Sequence, residues 1–131
     1  MLLKYIDAVT IPVPTLDEGL AFYRDGLGHT LLWRNDELGQ AGLATREAAT
    51  EIVLVTDEVG YEPDWKVESV DTAVQVFRTH GGRVLAGPED IPIGRLAVVA
   101  DPFGNALVIL DNTKGTYVTD RKGYVTGVSP D

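Results

Sequence analysis

At 131 residues with no cysteine and a net charge of −9, the chain is sized for one domain, excludes disulfide and thiolate chemistry, and repels phosphate backbones, which argues against nucleic acid as a partner. Hydrophobic residues make up 44% and charged ones 24%, the balance of a protein with a buried core, and no apolar run approaches the roughly 20 residues of a membrane span. Residues 1–7 carry an acid in their first apolar stretch and no small-residue cleavage site, so no secretory signal is read there and a cytoplasmic protein is expected.

In chain order, residues 3–13 alternate: Val9, Ile11 and Val13 fall on one face, Ala8, Thr10 and Pro12 on the other, as in a strand. Thr15 with Glu18 three residues on forms a capping box. Leu16, Leu20, Tyr23 and Leu27 then recur at helical spacing up to Gly28, placed for the left-handed position beyond the helix. Segments 29–34, 41–45 and 51–56 read as strands, with turns at 35–39 and 46–50.

A shift of 54 residues (67 minus 13) restores the pattern: Val13, Asp17, Arg24, Gly28, Leu31 and Asp57 fall on Val67, Asp71, Arg78, Gly82, Leu85 and Asp111. Cap, apolar stripe and terminal glycine all return, which marks a duplicated module. The reading is an α+β domain spanning 1–131, with one βαβββ module over 1–57, a second over 62–111, and Asp57–Tyr61 as linker. Within the second module, the segment from Gly87 to Gly94 reads as a loop, either a rim over a cleft or a stiff connector. The turn Asp101-Pro102-Phe103-Gly104-Asn105 feeds the apolar strand from Ala106 to Leu110. In the extension 112–131, two β-prone triplets that start at Tyr117 and Tyr124 flank Asp120–Gly123 and predict a hairpin. An isolated hairpin is marginal, so it should dock on the domain or on a partner subunit.

This duplicated arrangement resembles the vicinal-oxygen-chelate superfamily, which includes glyoxalase I, extradiol dioxygenases and bleomycin-resistance proteins. The resemblance is carried by residues 8–13 and 16–28, and by the Asp101–Asn105 turn with its strand. It implies two modules that combine into a curved mixed sheet, helices on the convex face and an open concave face, with a homodimer as the common assembly. The superfamily's enzymes hold a divalent metal through one side chain on each of four strands. Carried over by motif and by the internal offset, those positions are Ala8, Leu54, Glu62 and Val108. Three of them have no donor atom, and a shift of one residue offers only Val53, Leu107 or Asp7. One carboxylate does not make a metal site, so neither metal nor other cofactor is expected. His29 and His80 read as structural or solvent-facing residues.

The expected concave face carries Ala8 and Thr10 from one strand and Glu62, Asp64 and Lys66 from another, either as cleft chemistry or as a solvated edge. Trp33 either walls the cleft or packs in the core, and the hairpin tyrosines are a second candidate wall. The expected ligand-binding set is therefore Thr10, Trp33, Leu54, Glu62, Asp64, Lys66 and Val108, with Glu62 the candidate catalytic acid or base. Arg46, Glu47 and Asp101 read as turn and surface residues. The leading expectation is a metal-free small-molecule-binding protein, sequestering an antibiotic or other natural product. The alternatives are a metal-independent isomerase or lyase, and a scaffold protein. Net acidity mildly favours cationic ligands.

Overall fold

The computed structural model describes residues 1–57 and 60–130; Glu58 and Val59 of the linker, and Asp131 at the end of the hairpin extension, lie outside the described residues. The chain runs β1 (Tyr5–Pro12), α1 (Leu16–Leu20), a π-helical segment (Ala21–Gly26), β2 (Leu31–Asn35), β3 (Gln40–Ala44) and β4 (Glu51–Val55). It continues with β5 (Glu62–Lys66), α2 (Val70–Thr79), β6 (Arg83–Ile91), β7 (Gly94–Ala100), β8 (Ala106–Leu110), β9 (Thr116–Thr119) and β10 (Val125–Ser129). The α+β class expected from the sequence is the one found. Among the described residues no helix is long and apolar enough to cross a membrane.

Two compact units emerge, and their limits differ from a tandem division. The first comprises residues 7–63 and 117–127; the second comprises 1–6, 64–116 and the chain from 128 onward. The first residues belong with the second unit because Leu2 and Leu3 pack on its core, and the Lys4 N–H donates to Lys66 O at 2.9 Å.

In the first unit the strand order is β2-β3-β4-β1, with β1 and β4 parallel and the other pairs antiparallel. Thr15 caps α1, its Oγ1 accepting the Glu18 N–H at 3.1 Å. Leu16 and Leu20 of α1 form one core with Ala41, Leu43 and Leu54, flanked by Ile11, Val13 and Leu31. Leu54 therefore faces the helix and not the opposite face on which the carried-over set had it; strand alternation gives that face to Glu51, Val53 and Val55.

The second unit repeats the plan in the order β5-β8-β7-β6. Val70, Ala73 and Val74 of α2 pack against Val67, Ala97, Val99 and Ile109. The expected loop from Gly87 to Gly94 is a correction. β6 runs on to Ile91 and pairs with β7 down to Ile91 opposite Gly94, so only Pro92 and Ile93 turn. Glycine and proline punctuation suggested a loop, and the ladder absorbs it through irregular register between Val84 and Glu89.

The repeat itself is not gapless. An unbroken α-helix was expected up to Leu27, but α1 stops at Leu20 and the chain widens into π-helical turns. The Leu27 N–H reaches back five residues to Phe22 O at 2.9 Å. From the Thr15 cap to the left-handed Gly28 (φ 84°) is 13 residues (28 minus 15). In the second unit the left-handed glycine is Gly81 (φ 90°) and not Gly82, 12 residues (81 minus 69) past the Ser69 cap. The wider turn absorbs the extra residue. Beyond it, the core residue matching Leu31 is Val84, while Leu85 is exposed.

β9 and β10 pair as a two-stranded sheet. The hairpin turn meets β2, where the Arg34 N–H donates to Gly123 O at 2.8 Å and the Arg34 guanidinium lies 5.4 Å from the Tyr124 ring centre.

Candidate functional site

Register across the first unit's sheet fixes which side chains share a face. Trp33 lies opposite Gly42, Gly42 opposite Val53, and Val53 opposite Thr10. The next row is Ala44, Glu51 and Ala8. Opposed residues point the same way, so these two rows line the face away from α1. Trp33 joins them through a register irregularity between Leu31 and Trp33: Leu31 packs on the helix side, and the irregularity turns Trp33 to the other.

Trp33 is anchored on this face. Its indole Nε1–H donates to Glu51 Oε1 at 2.7 Å, a short charge-assisted bond. Its ring packs against Tyr117 of the hairpin, centroids 4.9 Å apart and planes tilted by 43°. Burial, and then the negative charge of Glu51, push the Tyr117 phenol above its ordinary pKa. Gly42 makes this arrangement possible: a Cβ there would meet the Trp33 indole and the Glu51 carboxylate. Tyr117 is one of the hairpin tyrosines offered as a second wall, while Glu51 was absent from the expected residues; its signal is its register opposite Ala44 and Ala8, on the same face as Val53.

Thr10 is buried and its hydroxyl donates to Gly60 O at 3.0 Å and Glu62 O at 3.3 Å, so it ties the segment before β5 to β1. Glu62 itself is half-buried. Burial, and then the neighbouring charge of Asp57, push its carboxyl above the usual range, which favours a proton donor or acceptor nearer neutrality.

Asp64, Lys66 and Val108 belong to the second unit. Asp64 stands opposite Val108 and Lys66 opposite Leu110. Trp65 between them packs on the core of α2, so Asp64 and Lys66 share the other face of β5. Both are buried, at 8% and 7% exposure, and so are not a solvated edge.

Of the remaining residues, His29 Nδ1 contacts Ala44 O at 2.9 Å and His80 is the exposed C-cap of α2. Asp101 organises its turn by accepting from the Phe103 and Asn105 N–H groups, both at 2.9 Å. Arg46 and Glu47 form an exposed pair at 3.8 Å.

The registers also bear on the four metal positions that the resemblance implies. Thr10 opposite Val53 matches Asp64 opposite Val108, so the β4 position is Val53. The donor set is then a methyl, two isopropyls and one carboxylate: Ala8, Val53, Val108 and Glu62. These residues do not fit a divalent cation.

The sequence profile of the Glyoxalase/Bleomycin resistance protein/Dioxygenase superfamily matches residues 5–109. No curated protein matches the sequence. Among solved structures, methylmalonyl-CoA epimerase from Mycobacterium tuberculosis is 23% identical, with a TM-score of 0.66 over 84% of this chain and 89% of that one. A variant of the Streptomyces coelicolor methylmalonyl-CoA epimerase, in complex with 2-nitronate-propionyl-CoA, is 21% identical, with a TM-score of 0.65 over 84% and 98%. A hypothetical protein from Bacillus halodurans C-125 is 16% identical, with a TM-score of 0.67 over 87% and 98%. At these identities the likeness is one of fold.

Proposed function

Because the chain belongs to the Glyoxalase/Bleomycin resistance protein/Dioxygenase superfamily, we propose that it is a metal-free small-molecule-binding protein that sequesters its ligand, an antibiotic or another natural product. One observation carries this reading: of Ala8, Val53, Glu62 and Val108, only Glu62 has a donor atom, so Lewis-acid activation at these positions lacks its ligands. What the face of the first unit's sheet away from α1 offers is recognition chemistry, an indole and a phenol in contact beside half-buried carboxylates. The reading includes a homodimer, checked by light scattering, in the cytoplasm, checked by cell fractionation. The test is a thermal-shift screen of aromatic natural products and small oxygenated metabolites with metal chelated. Stabilisation without consumption of the compound is the expected result; a stoichiometric divalent ion in purified protein, lost in Glu62→Ala, overturns the reading.

A second reading, a metal-independent isomerase or lyase, is favoured by Glu62, whose carboxyl is pushed up by burial and by Asp57. Glu62→Gln separates the two. A binder loses at most about 1–3 kcal/mol of affinity, one hydrogen bond to a charged group. An enzyme with Glu62 as general base loses about 10²–10⁴-fold in turnover with binding little changed.

A further inference from the structure

We propose that Glu51, held by Trp33, whose ring packs on Tyr117, is the recognition carboxylate for a planar cationic group of the ligand, an amidinium, guanidinium or protonated heteroaromatic ring. The inference rests on the binding reading above and names the ligand class that this face takes.

Three observations converge. First, Glu51 is anchored on the face: the Trp33 Nε1–H donates to its Oε1 at 2.7 Å, and a carboxylate matches the planar N–H fork of an amidinium or guanidinium. Orientation by a rigid indole, itself packed on Tyr117, removes most of the side-chain entropy that a bidentate ion pair otherwise costs. Second, the surroundings are aromatic. Indole and phenol rings attract a flat cation through their quadrupoles, adding to the carboxylate's pull. Third, the adjacent cation is turned away. Arg34 follows Trp33 on β2, and its guanidinium bonds Asp17 and Asp36 at 3.0 and 2.7 Å. A protein of charge −9 also steers cations toward itself. Tyr117 lies in the C-terminal hairpin, beyond residues 5–109 that the superfamily profile matches.

The probes are benzamidinium and its neutral isostere benzamide, followed through the indole ¹⁵N–H signals. The chain has two tryptophans. Trp33 reports the face and Trp65, packed on the second unit's core, is the internal control; Trp33→Phe assigns the signals. The expected result is a saturable shift of the Trp33 signal with benzamidinium, at least about tenfold weaker with benzamide, and a Trp65 signal that does not move. Glu51→Gln keeps an acceptor for the indole and should erase the difference between the probes. An equal response to both probes, a full response in Glu51→Gln, or no saturable Trp33 shift at millimolar benzamidinium overturns the proposal. A neutral ligand from the thermal-shift screen that binds Glu51→Gln as tightly as the parent overturns this inference and leaves the binding reading standing. A screen that yields no ligand counts against that reading, and the benzamidinium titration still decides Glu51.

Discussion

The carboxylate of Asp111 accepts the backbone N–H of Val70 at 2.7 Å, so the first turn of α2 is held from a residue 41 positions away. The same side chain accepts the Arg95 N–H at 2.9 Å and the Thr113 hydroxyl at 2.9 Å, at 1% exposure. One carboxylate therefore locks the helix start, β7 and the end of β8 together.

Asp111→Ala should strand these donors and cost about 3 kcal/mol or more, against roughly 1–2 for Asp111→Asn, read from urea unfolding midpoints. Burial alone would push this carboxyl up; the hydrogen bonds from Val70, Thr113 and Arg95 outweigh it and hold it below the ordinary value. Its contribution is thus complete above the unfolded value of about 4 and drains away as the pH falls through the folded one. Unfolding midpoints of Asp111→Asn should vary less steeply below pH 4 than those of the parent.

Glu62 carries the opposite sign. Its folded carboxyl titrates above the unfolded one because of burial and Asp57, so the folded state binds the proton more tightly and stability falls as the pH rises through that window. Glu62→Gln should therefore melt at or above the parent's temperature at pH 7, and the gap should close by pH 4. A variant that melts lower at pH 7 would show that the charged form is favoured in the fold.

Gly42→Ala should expel the Trp33 indole from its bed, because the added methyl meets the Trp33 ring and the Glu51 carboxylate. The expected cost is about 1–3 kcal/mol, the range for overpacking. Loss of the Trp33–Tyr117 contact should appear as a shift in the Trp33 indole signal while that of Trp65 stays in place.

Arg34→Ala removes the contact over Tyr124 and the pairs to Asp17 and Asp36, but leaves its backbone bond to Gly123. Tryptic cleavage at Arg121 and Lys122 in the hairpin turn should speed up about three- to tenfold, the factor expected for roughly 0.7–1.4 kcal/mol. An unchanged rate would mean that the backbone bond and the Trp33–Tyr117 packing suffice to hold the hairpin.

The fold was legible because its signals are local. Thr15 caps its helix as its spacing to Glu18 predicts, Ser69 does the same at the 54-residue offset, and the hairpin follows from two β-prone triplets around a glycine turn. The candidate site was less legible because it was carried from one module to the other at a fixed offset of 54. Val53 and Val108 differ by 55 and hold matching registers, so the fixed offset landed on Leu54, a residue of the helix-side core. Trp33 could not be oriented from sequence because strand parity fails across the irregularity after Leu31. Glu51 went unnoticed as the first residue of its strand, beside a turn whose charged residues are solvent-exposed.

A duplicated protein is often assumed to keep one numbering in its two halves, so that a change in one half has a twin in the other. The π-helical segment from Ala21 to Gly26 breaks that bookkeeping while leaving the cap at Thr15 and the left-handed glycine at Gly28 intact. A helix able to swallow a residue without disturbing either end gives the two copies evolutionary slack. Each can lengthen or shorten on its own, and the strands downstream are free to present different side chains on faces that began as duplicates.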